Sequence, residues 1–161
     1  MFLQEVSFDE DDITKDLFVD YAFRSDILDP EGLTSNLGIT PSRAYAKGEK
    51  YQGRVLNVNT GEVENTWNER WTGIWAISTK GLVASKKVED HVQYLLNILE
   101  SKKETITRYL ADSDNYQISF YIWWEPFSGY GSYQITQVIL KRMSNLCHYV
   151  DFGVLCTEDE K

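Results

Sequence analysis

Cysteine, histidine and proline are all scarce in this chain, with two Cys, two His and three Pro among 161 residues. Cys147 and Cys156 flank what reads as one extended strand. Nine residues of strand span about 30 Å and put the two side chains on opposite faces. A disulfide needs Cα atoms within roughly 7 Å, so no bridge is expected between them. A zinc site calls for about four Cys or His ligands at short spacings, and no such pattern occurs. No metal and no cofactor are therefore expected. No apolar run approaches the ~20 residues that cross a bilayer, and residues 1–12 lack the basic-then-apolar order of a secretory signal. The expected location is cytoplasmic, with no membrane partner.

A strong basic patch is missing too. Arg43, Lys47, Lys50 and Arg54 form one loose cluster, interrupted by Glu49, which reads as a solvated loop. A nucleic-acid partner is not expected. Net charge is −9. Five of those charges fall in residues 1–16 and two in residues 157–161, so the 140 residues between carry only two. The expected organisation is an acidic N-terminal segment (1–16), a single domain (17–156) and an acidic tail (157–161). Apolar residues at 42% and charged residues at 25% are ordinary globular usage.

Residues 2–8 are compatible with a short edge strand. Leu17 to Ser25 alternates, with Leu17, Val19, Tyr21 and Phe23 on one face and Asp20 and Arg24 on the other. Asp29-Pro30-Glu31 then opens a short helix that Gly38 ends. Asn59-Thr60-Gly61 predicts a hairpin bend. Trp71, Gly73, Trp75 and Ile77 would share one strand face, with all of Trp67, Trp71 and Trp75 in core or sheet-edge packing. Ser85 is the expected cap of an amphipathic helix whose stripe is Val88, Val92, Leu95, Leu96 and Leu99. A further turn or two carries Ile106 and Leu110.

Tyr116 to Glu125 predicts a second strong strand. Tyr116, Phe120 and Trp124 face inward; Tyr121 and Trp123 face outward. Gly129 to Ser132 is a weak echo of a phosphate loop and reads as a connection. Ile135, Val138, Ile139, Met143 and Leu146 mark the last helix. His148 to Cys156 is the final strand, with Val150, Phe152 and Val154 inward and Tyr149 and Asp151 outward. These elements predict an α+β fold: a mainly antiparallel sheet with helices packed on one face, built as two strand-helix-strand halves.

The run from Asp29 to Arg43, with Leu37-Gly38-Ile39-Thr40-Pro41 at its centre, resembles the opening of the bacterial family called domain of unknown function 4279. Lys47-Gly48, Gly73-Ile74-Trp75, Glu89-Asp90-His91 ahead of Leu95-Leu96, and the closing strand with Asp151 continue the likeness from about residue 17 to 155. The acidic N-terminal segment and the long stretch Tyr51 to Arg70 depart from it. The resemblance implies no catalytic residue; it implies a small bacterial cytosolic domain of a kind found beside toxin and phage-conflict genes.

His91 sits at the edge of an apolar stripe and is expected to be a hydrogen-bonded core histidine. His148 and Cys147 are strand neighbours on opposite faces and make no nucleophile–base pair. The candidate site is instead the uncovered sheet face: Tyr121, Trp123, Tyr149 and Asp151, with Arg24 and Arg43. Large aromatics there would suit a binding surface; alternatively, residues 51–70 or the N-terminal segment fold over it. The expected function is a non-catalytic protein-binding domain, such as an immunity protein for a partner toxin. A small-ligand or nucleotide sensor using the same face is the second expectation, and an enzyme gathering Asp151, His91 or Arg43 in a cleft the third. Oligomeric state stays open.

Overall fold

The computed structural model describes residues 13–127 and 132–155. Five strands form the main sheet: β1 (Thr14–Ser25), β2 (Arg43–Tyr45), β5 (Gly73–Ser78), β6 (Gln117–Pro126) and β7 (Tyr149–Val154), in the order β2-β5-β1-β6-β7. β5 is antiparallel to β1 and β2, and β6 is antiparallel to β1; β7 alone runs parallel to its neighbour β6. β3 (Lys50–Leu56) and β4 (Val63–Glu69) form a separate two-stranded hairpin. The helices are α1 (Pro30–Leu37), α2 (Val88–Leu99), α3 (Lys103–Ala111) and α4 (Gln137–Ser144). The fold is α+β, with a mostly antiparallel sheet.

Strand parity decides the core. Leu17, Val19, Tyr21 and Phe23 of β1, Trp75 and Ile77 of β5, and Ile118, Phe120, Ile122 and Trp124 of β6 are all buried. They join Leu33 and Leu37 of α1, the α2 stripe, Ile106 of α3, and Ile139 and Met143 of α4 in one apolar cluster. Burying one such side chain contributes about 1.5–3 kcal/mol. The polar atoms of the core aromatics are satisfied. Tyr21 Oη donates to the Leu146 carbonyl at 2.6 Å, Trp75 Nε1 to Thr34 Oγ1 at 2.9 Å and Trp124 Nε1 to Thr14 Oγ1 at 2.9 Å. The first two tie a sheet strand to the segment packed against it, and the third ties β6 to its neighbour β1.

α1 follows its sequence signals closely. Asp29 caps it by accepting the Gly32 amide, Pro30 opens it, and Gly38 ends it in the left-handed region at φ 62°. His91 is buried as expected. Its Nε2 lies 2.7 Å from the Ser85 carbonyl and must donate to it, so Nδ1 accepts from the Thr79 hydroxyl at 2.6 Å. Thr79 Oγ1 in turn accepts the Val19 amide at 2.8 Å. The ring is held neutral, and burial lowers its pKa.

Several expectations are corrected. β1 begins at Thr14 rather than Leu17, because β6 extends far enough to pair with it. Ser85 does not cap α2: the helix starts at Val88, and the Ser85 hydroxyl serves the Lys87 amide and Asp90 instead. Val138 is exposed, since α4 buries only Ile139 and Met143. Trp71 precedes β5 and is 81% exposed, and Trp67 on β4 is 73% exposed; only Trp75 is core. Phe152 and Val154 point to the helix side, yet they remain 55% and 54% exposed because β7 lies at the sheet edge. The proposed strand at residues 2–8, all of the Gly-rich loop except Ser132, and Cys156 lie outside the described residues.

Candidate functional site

Among the described residues no helix packs on the second face of the sheet, and the register places its side chains in rows. One row reads Arg43, Ala76, Ala22, Ser119, Tyr149 across all five strands. The next reads Ser78, Asp20, Tyr121, Asp151, and a third Phe18, Trp123, Gly153. On the other side lie Tyr45, Ile74, Arg24 and Gln117. All six residues expected at the site therefore share this face. Tyr121, Trp123, Tyr149, Asp151 and Arg24 are half-buried, and Arg43 is exposed.

An aromatic ridge crosses it. Phe18 stacks on Trp123 with ring centroids 5.9 Å apart, and Trp123 lies 6.5 Å from Tyr121. Tyr121 packs over Gly153, where an added Cβ would stand only 2.1 Å from its hydroxyl oxygen. Glycine at 153 is what lets this ring lie flat across the edge strand. Charges of both signs surround the ridge. Arg43 Nη2 is 3.7 Å from Asp20 Oδ2, Arg24 Nη1 is 4.0 Å from Asp151 Oδ2, and Lys80 Nζ sits 4.9 Å from the Phe18 ring centre. Such partly exposed pairs contribute about 0–1 kcal/mol each, so they exchange readily for other contacts. Asp20 Oδ1 is buried and receives no hydrogen bond within the described residues. In the middle, Ala22, Ala76 and Ser119 lie beneath their larger neighbours.

Residues 51–70 do not cover this face. They fold as the β3–β4 hairpin, whose principal contacts are internal. Arg70 anchors its base, with the guanidinium 4.0 Å from the Tyr45 ring centre and 3.8 Å from that of Tyr51. The N-terminal segment through residue 12, the other possible cover, lies outside the described residues. The basic cluster is not brought together: Arg43 pairs with Asp20, Lys47 with Asp26, and Lys50 and Arg54 ride on the hairpin.

A cleft of about 300 Å³ adjoins the face at the end where β1 and β6 meet their loops. Arg24 and Gln117 line both, and Trp71, Asp114 and Asn115 complete the cleft wall. Both histidines are held by hydrogen bonds within the fold. His91 is saturated as described; His148 Nδ1 accepts the Ile118 amide at 3.0 Å and Nε2 donates to the Leu110 carbonyl at 3.0 Å. Burial raises the Cys147 thiol to about 11, so it stays protonated at neutral pH. Among the described residues no group of three or more His, Cys, Asp or Glu is placed to hold a metal, and no helix is long and apolar enough to cross a membrane.

The family described as "Domain of unknown function (DUF4279)" matches residues 14–156. The chain belongs to the DUF4279 family. That span takes in every strand and helix among the described residues of this DUF4279 chain, the open face included. No curated protein and no solved structure matches the chain. Most of the residues that carried the likeness serve the DUF4279 fold: Asp29 and Gly38 bound α1, Gly48 makes a turn at φ 80°, Trp75 is core, and His91 is the buried clamp. Arg43 and Asp151 differ in lying on the open face. Sequence reasoning had not picked out Phe18, although the same alternation that placed Asp20 and Arg24 places it beside them.

Proposed function

We propose that this DUF4279 chain is a non-catalytic protein-binding domain whose open sheet face docks a protein partner. A toxin that it neutralises is the partner class implied by the family resemblance. The observation that carries this reading is the Phe18–Trp123–Tyr121 ridge on a face that no helix and no hairpin covers among the described residues. Aromatic side chains give large contact area for few frozen torsions, and binding energy concentrates on such anchors. The surrounding ion pairs cancel one another, which favours a partner with an apolar centre and a mixed polar rim over a polyanion. Co-expression with the products of neighbouring genes, followed by size-exclusion chromatography, is the test. A cognate complex is expected to weaken about 30-fold with Trp123→Ala, as befits an anchor worth ~2 kcal/mol, and to ignore Trp67→Ala on the hairpin. A folded Trp123→Ala protein that binds its partner unchanged refutes the reading.

The cleft beside Arg24 favours a second reading, a small-ligand sensor. Its size lies at the lower end for ligand pockets, and the exposed Trp71 ring offers a stacking surface. A ligand at a hundred times its dissociation constant would add about 2.7 kcal/mol to stability. A thermal-shift screen that yields such a ligand, with its effect abolished by Trp71→Ala, would put this reading first.

A further inference from the structure

β7 ends the sheet, and among the described residues no strand pairs with its outer edge. Natural edge strands are usually short, lysine- or proline-bearing, bulged or covered, because unpaired backbone invites another strand. Of the sequence devices β7 has a single charge, Asp151. Tyr149-Val150-Asp151-Phe152-Gly153-Val154, continued by Leu155, contains neither Lys nor Pro, and it leaves Phe152, Val154 and Leu155 exposed.

We infer that this edge pairs antiparallel with the β7 edge of a second copy of the chain, about a two-fold axis through Phe152. With the axis there, Phe152 faces its own counterpart, Val150 faces Val154, Tyr149 faces Leu155, and Asp151 faces Gly153. Apolar side chains meet apolar ones on the helix side, where Phe152 and Val154 are otherwise left half uncovered. On the open side the single charge of the strand meets the residue with no side chain. Moving the axis to Asp151 would set two carboxylates directly opposite each other, which is destabilising across a strand pair. Moving it to Gly153 places Asp151 against Leu155 and shortens the apolar match. Of these three registers the Phe152 one satisfies every position, and self-complementarity is what a two-fold interface demands. The two five-stranded sheets then run on as one, with both open faces on the same side. This inference stands apart from the docking role of the ridge, since Trp123 lies one strand inside the edge.

The test uses the full chain in sedimentation or light scattering from low micromolar to millimolar concentration. The mass is expected to rise from 18.7 kDa to twice that value. Phe152→Lys and Phe152→Glu each set like charges against each other at the axis and should remain monomeric. An equimolar mixture of the two should recover the doubled mass. In a Cys147→Ala, Cys156→Ser background, Phe152→Cys should oxidise to a disulfide dimer, because facing Cα atoms at a hydrogen-bonded pair are about 5.5 Å apart, within disulfide reach. Val154→Cys, whose counterpart is Val150, should not. A wild-type chain that keeps a single-chain mass at millimolar concentration overturns the inference. So does a dimer that survives Phe152→Lys, or one in which Val154→Cys cross-links as well as Phe152→Cys.

Discussion

Replacing His91 by leucine tests whether the buried imidazole is a structural clamp with a pH signature. The ring is fully buried and joins three segments: Thr79 after β5, Ser85 before α2, and through Thr79 the Val19 amide of β1. Leucine keeps the apolar packing but leaves the buried Thr79 hydroxyl without its acceptor, a cost of about 1–3 kcal/mol. The bond to the part-buried Ser85 carbonyl adds about 0.5–1.5 kcal/mol, since water can replace some of it. The sum is roughly 2–4 kcal/mol, which for a chain of this size lowers Tm by about 5–15 °C. Burial depresses the His91 pKa in the folded state, with Asp90 and Asp16 opposing the effect. Below its unfolded value of ~6.5 the unfolded chain binds a proton that the folded chain refuses. The clamp is therefore at full strength above about pH 6.5 and weakens as pH falls toward the depressed folded value, with a slope of up to about 1.4 kcal/mol per pH unit. Urea titrations of both proteins between pH 5 and 8 isolate this slope, because carboxylates common to the two cancel in the difference. Equal pH slopes for wild type and His91→Leu, or a loss below 0.5 kcal/mol at pH 7.5, would refute the reasoning.

Gly153→Ala forces the Tyr121 ring off the edge strand; at an exposed tip that can swing, the cost should be about 1–2 kcal/mol, and the near-ultraviolet circular dichroism of the Tyr121–Trp123 pair should change. Arg70→Ala removes the guanidinium sandwiched between Tyr45 and Tyr51, worth about 1 kcal/mol. Its mark should be faster hydrogen exchange throughout β3 and β4, with unaltered protection in β1 and β6.

Local signals with a one-to-one physical cause were legible in the sequence. The cap, proline and glycine of α1 predicted its bounds to the residue, because each answers a specific backbone need at a helix end. Alternation sorted β1 and β6 into two faces, since a strand has no other way to arrange its side chains. With the last strand it brought Tyr121, Trp123, Tyr149, Asp151 and Arg24 onto one surface before any coordinates, whereas Arg43 read as part of a solvated loop and its place on β2 was not legible. What failed depended on neighbours far along the chain. Nothing in the residues around Trp67 and Trp71 tells that the hairpin leaves the body, and aromatic character was mistaken for burial. Phe152 and Val154 have the right parity for a core, but parity is silent on whether a strand lies at an edge. Ser85 looked like a cap because its spacing to the apolar stripe is nearly right; its hydroxyl instead accepts the Lys87 amide and donates to Asp90, ahead of a helix that starts at Val88.

The β3–β4 arm leaves the body and returns to almost the same point. The Gly48 amide donates to the Arg70 carbonyl at 2.8 Å, and the Arg70 amide to the Glu49 carbonyl at 2.9 Å. The core is thus already closed at the root, before the first rung of the arm. Lengthening, trimming or exchanging the twenty or so residues beyond that root alters loop entropy by only about 0.6 kcal/mol per doubling. Selection on that excursion is accordingly decoupled from selection on the body, and the tip is the natural place to attach a reporter or a tag.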